Sequence, residues 1–195
     1  MGLLESRPDT RWAVAVACGM ALAFDARTLE NPVLDGIVTK VIDGDTIRVQ
    51  LSTGPITVRL AEIDAPEANQ AGGGAATRAL DSRILGENVS LRVLSRDDDE
   101  RAVAVVYHGD ENVNAWMVKQ GHAWAYRGHA REPDYCVWEN AARSLRRGLW
   151  SDKHWVAPWD WRMTQRDSLF FITDYSHATT AGCIRAVTES AAFDD

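Results

Sequence analysis

The stretch IVTKVIDGDTIRVQLSTGPITVRLAEI, residues 37–63, carries the pattern from which the architecture follows. Apolar and β-branched residues alternate with polar ones over 37–42, 46–51 and 56–63, the period of two expected of strands that bury one face. Asp43-Gly44-Asp45 and Ser52-Thr53-Gly54-Pro55 separate the three runs and are short hairpin sequences. Three consecutive antiparallel strands are therefore expected. Downstream, the glycine-rich residues 70–74 lead into a helical pattern over Ala75–Leu85 that Gly86 stops. Two further strand patterns follow, Val89–Leu94 and Ala102–His108, then helices over Asn112–Gln120 and Asp134–Arg147, each stopped by a glycine. The order predicts an α+β domain: a five-stranded OB-fold-type β-barrel with three packed helices.

Around this core the chain has two ends of different character. Residues 1–26 read as a secretory signal peptide, with Arg7 and Arg11 ahead of an apolar run from Trp12 to Phe24 and small residues at the exit. The expected localisation is secreted or periplasmic, or cytoplasmic if the leader does not function. Residues 163–195 hold two arginines against five acids and read as an acidic, weakly ordered tail; only 168–173 within them is strand-like. Between lies the domain, 36–151, followed by a Trp-rich segment, 152–162, that would pack on it. The 195 residues carry 21 Lys and Arg against 28 Asp and Glu, a net charge of -7. That excludes a protein that holds nucleic acid by its whole surface. Three cysteines, at 18, 136 and 183, make neither a disulfide framework nor a zinc pattern, and no apolar run is long enough for a membrane span. Cys136 and Cys183 could pair in an oxidising compartment or remain free thiols.

Charged residues concentrate where a strand pattern does not need them: Asp43 and Asp45, Arg59, Asp64 and Glu67, and Arg101. Singly, each has a structural explanation as a turn, a strand exit or a solvated face. Jointly they place two carboxylates, Asp45 and Asp64, at one end of a barrel, with Arg59 on the strand between them and Arg101 opening a neighbouring one. Hard carboxylate oxygens select Ca²⁺ or Mg²⁺. Guanidinium groups match phosphate and remain charged at any working pH. A cation, carboxylates and two arginines suit an anionic, phosphate-like substrate.

With these residues in place the sequence resembles the thermonuclease, or staphylococcal nuclease-like, family. The likeness rests on residues 41–46 (VIDGDT), 58–60 (VRL) and 63–67 (IDAPE). It continues through Arg101, Asn114, 120–123 (QGHA), 141–143 (AAR), 147–150 (RGLW) and 158–162 (PWDWR). The resemblance implies a Ca²⁺-dependent, sugar-nonspecific endonuclease acting on DNA and RNA, preferably single-stranded, that leaves 3′-phosphate ends. It implies Asp45, Asp64 and the backbone carbonyl of Ala65 as metal ligands with Asp43 in support. Glu67 corresponds to the residue that positions the attacking water, Arg59 and Arg101 to the phosphate-gripping pair, and Tyr126 to a substrate contact, with packing as its other reading. No stable protein partner is implied, and a monomer is expected. One departure is the run Asp97-Asp98-Asp99-Glu100, where relatives carry a basic residue, a tyrosine and a glycine. Four acids there repel substrate and could draw Arg101 into a local ion pair. They keep open the alternative of a catalytically weak or inactive nucleic-acid-binding OB-fold module. Trp155, Trp159 and Trp161 could stack bases or clamp the C-terminal segment on the barrel.

Overall fold

In the computed structural model, residues 33–128, 130–153, 155–166 and 179–191 are described. The expected signal peptide and the strand-like run 168–173 lie outside them. Strands β1 (Val33–Val41), β2 (Thr46–Leu51) and β3 (Gly54–Leu60) form the antiparallel meander read from the alternation. In β2 the inward residues Ile47, Val49 and Leu51 are buried while Arg48 and Gln50 face out, so one strand supplies one wall of the core. After the two-residue strand β4 (Ile63–Asp64) and helix α1 (Gly73–Ile84), β5 (Asn88–Arg96) returns beside β1, and β6 (Ala102–His108) pairs with β5. A parallel pairing of β3 with β6, Arg59 opposite Val103, closes the five long strands into a barrel, which removes the free edges an open sheet would present.

The remaining elements are β7 (Glu111–Asn112), α2 (Val113–Lys119), β8 (Trp124–Ala125), α3 (Asp134–Ser144), a short 3₁₀ turn over Gly148–Ser151, α4 (Pro158–Arg166) and α5 (Thr180–Ala191). Helix α2 is capped by Asn112, whose side chain accepts from the Ala115 N–H. The following Asn114 is fully buried, accepting from Val106 N–H and donating to the Ala61 and Ala104 carbonyls, and so ties α2 to the barrel closure.

The sequence predicts three helices; among the described residues there are five α-helices. The additions, α4 and α5, lie beyond the last stop signal, and α5 falls within the stretch read as a weakly ordered tail. Cys183 and Val187 of α5 are buried, and Cys183 is joined to Cys136 of α3 by a disulfide. The covalent tie, with Val187 and the half-buried Ile184 packed against the core, holds this helix in place. Helix α4 is held by tryptophans. Trp159 meets Trp124 edge-on with ring centroids 5.5 Å apart, and Trp124 also packs edge-on with Trp150 and Trp155. The guanidinium of Arg143 stands 4.0 Å from the centre of Trp150, a stacked cation within an aromatic cluster. Gln70 donates to the Val156 carbonyl and fixes the approach to α4. Trp155 and Trp159 are thus packing residues in this structure.

Candidate active site

The turn before β2 begins the site. The Asp43 carboxylate accepts from Asp45 N–H, a side-chain turn that sets Asp45 facing inward. Gly44 lies against Ala65 and α1: a Cβ there would stand 2.6 Å from Ala65 Cβ and 2.8 Å from Ala76 Cβ, so only glycine allows this approach. Asp45 is then buried, with one carboxylate oxygen accepting from Thr46 Oγ1 and from Arg59 and the other from Ala65 N–H at 2.8 Å. Register delivers Arg59, which is opposite Thr46 across β2 and β3. Its Nη1 lies 3.3 Å from Asp45 and its Nη2 2.9 Å from Asp64. Asp64 is brought in by β4, pinned against Trp124 of β8, and is fully buried.

Asp43, Asp45, Arg59, Asp64, Ala65 and Glu67 therefore stand at one end of the barrel, as their spacing implies. Burial pushes the Asp45 carboxyl from 3.8 up to about 7; Arg59 works against this, while Asp43 and Asp64 add to it. Arg59 is held above its ordinary value: burial opposes its charge, but Asp45 and Asp64 outweigh that.

Arg101 is also in the cleft, a cavity of about 700 Å³ whose walls include Asp43, Arg59, Glu67, Arg101 and Tyr126. It does not join the carboxylate cluster. Its Nε donates to Asp97 at 2.7 Å and its Nη2 lies 3.1 Å from Asp99. The acidic run thus draws Arg101 into a local ion pair. Partial burial works against the Asp97 charge, yet the Arg101 side chain and N–H hold this carboxyl below its ordinary value. The Tyr126 ring stacks on Trp159 at 5.9 Å and lies 5.9 Å from the Arg59 guanidinium, so it combines a packing role with a place on the cleft wall.

Sequence alone assigns no chemistry to Arg162, yet this α4 residue stands at the centre of the site. Its Nη2 lies 2.7 Å from Asp64 Oδ2, and its Nη1 3.1 Å from Asp64 Oδ1 and 2.8 Å from Glu67 Oε1. Burial disfavours the charge, but Asp64 and Glu67 hold it further above its ordinary value. The one signal in the sequence is a cation embedded in the aromatic run 158–162.

Among the described residues no three His, Cys, Asp or Glu side chains are grouped so as to hold a metal ion by themselves. Two carboxylates are present, Asp45 and Asp64, with the Ala65 carbonyl next in sequence. Hard oxygens suit Ca²⁺ or Mg²⁺ with water completing the shell, and Asp45, buried beside two other acids, is a group that a cation would relieve. The donor set fits such an ion. Among the described residues, no helix is long and apolar enough to cross a membrane.

A profile of the family described as staphylococcal nuclease homologue matches residues 57–152, which span Arg59, Asp64, Glu67 and Arg101. The chain is 44% identical over 140 residues to protein ParB of Escherichia coli, covering 66% of this chain and 79% of that protein. It is 40% identical over 136 residues to an uncharacterized endonuclease of Haemophilus influenzae, covering 69% and 76%. To a micrococcal nuclease of Shigella flexneri it is 38% identical over 144 residues, covering 68% and 83%. With a closed five-stranded barrel, the acidic and arginine residues at one end of it, and relatives matched over most of their length, the chain belongs to the staphylococcal nuclease homologue family.

Proposed function

We propose that the protein is a Ca²⁺-dependent, sugar-nonspecific endonuclease that hydrolyses phosphodiester bonds of DNA and RNA, preferably single-stranded, and leaves 3′-phosphate ends. The observation that carries this reading is that Arg59 bonds both buried carboxylates, Asp45 and Asp64, while Arg59 itself and Glu67 line an open cleft beside them. Asp45, Asp64 and the Ala65 carbonyl would hold the ion, with Asp43 in support; when bound, it supplies charge neutralisation and Lewis-acid polarisation at the phosphate. Arg59, and Arg101 once it exchanges Asp97 and Asp99 for substrate, grip the non-bridging oxygens and offset the charge that builds there. Glu67 accepts a proton from water as the water oxygen bonds to phosphorus. The P–O5′ bond breaks, the 5′ oxygen leaves with the electron pair and takes up a proton, and the phosphate remains on the 3′ side. Tyr126 offers the nucleotide an aromatic face beside Arg59.

Digestion of single-stranded DNA and RNA with mass analysis of the ends tests the reading. Cleavage of both in Ca²⁺ with 3′-phosphate products is expected; 5′-phosphate ends or a strict preference for one sugar contradict it. A catalytically weak binding module is the second reading, favoured by the pairing of Arg101 with Asp97 and Asp99. It predicts oligonucleotide binding without turnover. We further propose that the protein is exported and acts as a monomer. The apolar leader supports export, as does the Cys136–Cys183 disulfide, a bond that persists in oxidising compartments.

A further inference from the structure

Arg162 is the unexpected member of the cluster. It covers both oxygens of Asp64 and reaches Glu67, while Arg59 shares Asp64 Oδ1 with it. Two guanidinium groups therefore converge on a single carboxylate that is fully buried. A buried carboxylate left without a counter-charge is strongly disfavoured; Arg59 is shared between Asp45 and Asp64, so in the cation-free protein Arg162 supplies the second positive charge for this pair of carboxylates. Arg162 comes from a helix that is fixed in place: Trp159 stands against Trp124 and Tyr126, and Trp161 Nε1 donates to Asn69. The side chain retains 29% exposure, and it lies on the wall of the same open cleft. It therefore has room to swing away from Asp64 without undocking α4.

Resting on the calcium reading of the site, we propose that Arg162 is a built-in counter-ion: in the cation-free protein it takes the place of the divalent ion on Asp64, holding Glu67 at the same time, and calcium binding has to displace it. A cation cannot approach either Asp64 oxygen while a bidentate guanidinium occupies both. Coulomb repulsion between the ion and Arg162 then sets the affinity of the site, while the arginine keeps the empty site folded. Calcium affinity is weakened as a consequence, and the protein without calcium is stabilised.

Isothermal titration of Ca²⁺ into the full chain tests this, using wild type, Arg162→Gln, Arg162→Lys, Arg166→Gln and Asp45→Asn. Removing the charge at 162 should tighten calcium binding by about tenfold or more. Lysine keeps the charge and the aliphatic stem but cannot span Asp64 and Glu67 together, so a tightening of about threefold is expected. Arg166 lies on the same helix and cleft but makes none of these contacts, and its replacement should leave the affinity within about twofold. Thermal melts give a second readout. Arg162→Gln should melt below wild type in EDTA, and the gap should close at saturating calcium; an ordinary structural ion pair would lower both melts equally. Equal calcium affinity in wild type and both Arg162 variants, with Asp45→Asn binding lost, overturns the counter-ion role alone. Calcium binding that Asp45→Asn leaves intact, or no binding by any variant, overturns the calcium reading and this inference together.

Discussion

Asp45→Asn should stabilise the cation-free protein while removing its activity. The Asp45 carboxyl is 3% exposed and ionises near 7 in the fold instead of at 3.8. A carboxyl whose folded value is raised favours the folded state most below the unfolded value, and that contribution is lost as pH rises through the folded value. Between the two, the folded protein holds the proton more tightly, and the loss amounts to roughly 4 kcal/mol at about 1.4 kcal/mol per pH unit. Asparagine never bears the charge, and its carbonyl can still accept from Ala65 N–H, now bonded at 2.8 Å; the attraction of Arg59, 3.3 Å away, is already contained in the value of about 7. The net expectation is about 4 kcal/mol of stabilisation at about pH 8 in EDTA, shrinking to about zero at about pH 4. Urea denaturation of both proteins across that range gives the difference directly and cancels every other titrating group. The urea midpoint of the variant should lie about 1–2 M higher at the alkaline end. Saturating calcium should reverse the order, since only wild type binds the ion. An Asp45→Asn protein less stable than wild type at about pH 8 in EDTA, or a difference that does not change with pH, would show that ionisation of Asp45 does not destabilise the fold.

Other consequences can be measured separately. Asp97→Asn should free Arg101 for substrate and lower KM for single-stranded DNA by about 3–10-fold at low salt, more than Asp98→Asn, which removes the same charge without touching Arg101; equal effects would show that only the local potential matters. Replacing Cys136 and Cys183 together by alanine opens a loop of 47 residues and should cost about 4 kcal/mol in urea denaturation by loop entropy, with dithiothreitol no longer affecting the variant. Undiminished stability would show that α5 docks without the bond. At Gly73 a Cβ would stand 2.0 Å from the Glu67 carbonyl oxygen, so Gly73→Ala should shift the Glu67 loop and lower kcat by about tenfold or more; an unchanged kcat would show that the loop tolerates the displacement.

The barrel was legible because each long strand buries one face, and alternation records that locally: Ile47, Val49 and Leu51 point in while Arg48 and Gln50 point out. Its closure was not legible in the same way, since the parallel pairing of Arg59 with Val103 joins strands far apart in the chain. Asp45, Arg59, Asp64 and Glu67 could be placed together because hairpin register and one short strand connect them within 23 residues of sequence. Arg162 lies 98 residues from Asp64 and 95 from Glu67, and no local pattern links an arginine in an aromatic run to either. Helix α5 is hidden for a related reason: its attachment is a disulfide to α3, one buried valine and the half-buried Ile184, and a pair of cysteines 47 residues apart does not announce its own pairing. The acidic run before Arg101 was visible as composition, and the structure turns it into two specific contacts, Asp97 and Asp99 on one guanidinium.

The carboxylate and arginine cluster at the barrel end is proposed to cleave phosphodiester bonds in a cation-dependent way. The most direct test is the cleavage rate of a labelled single-stranded oligonucleotide in Ca²⁺ and in EDTA, for wild type, Glu67→Ser and Arg59→Gly. Wild type should cleave in Ca²⁺ and not in EDTA, and each variant should be slower by about 100-fold or more. Cleavage that persists in EDTA, or variants as active as wild type, would contradict the account.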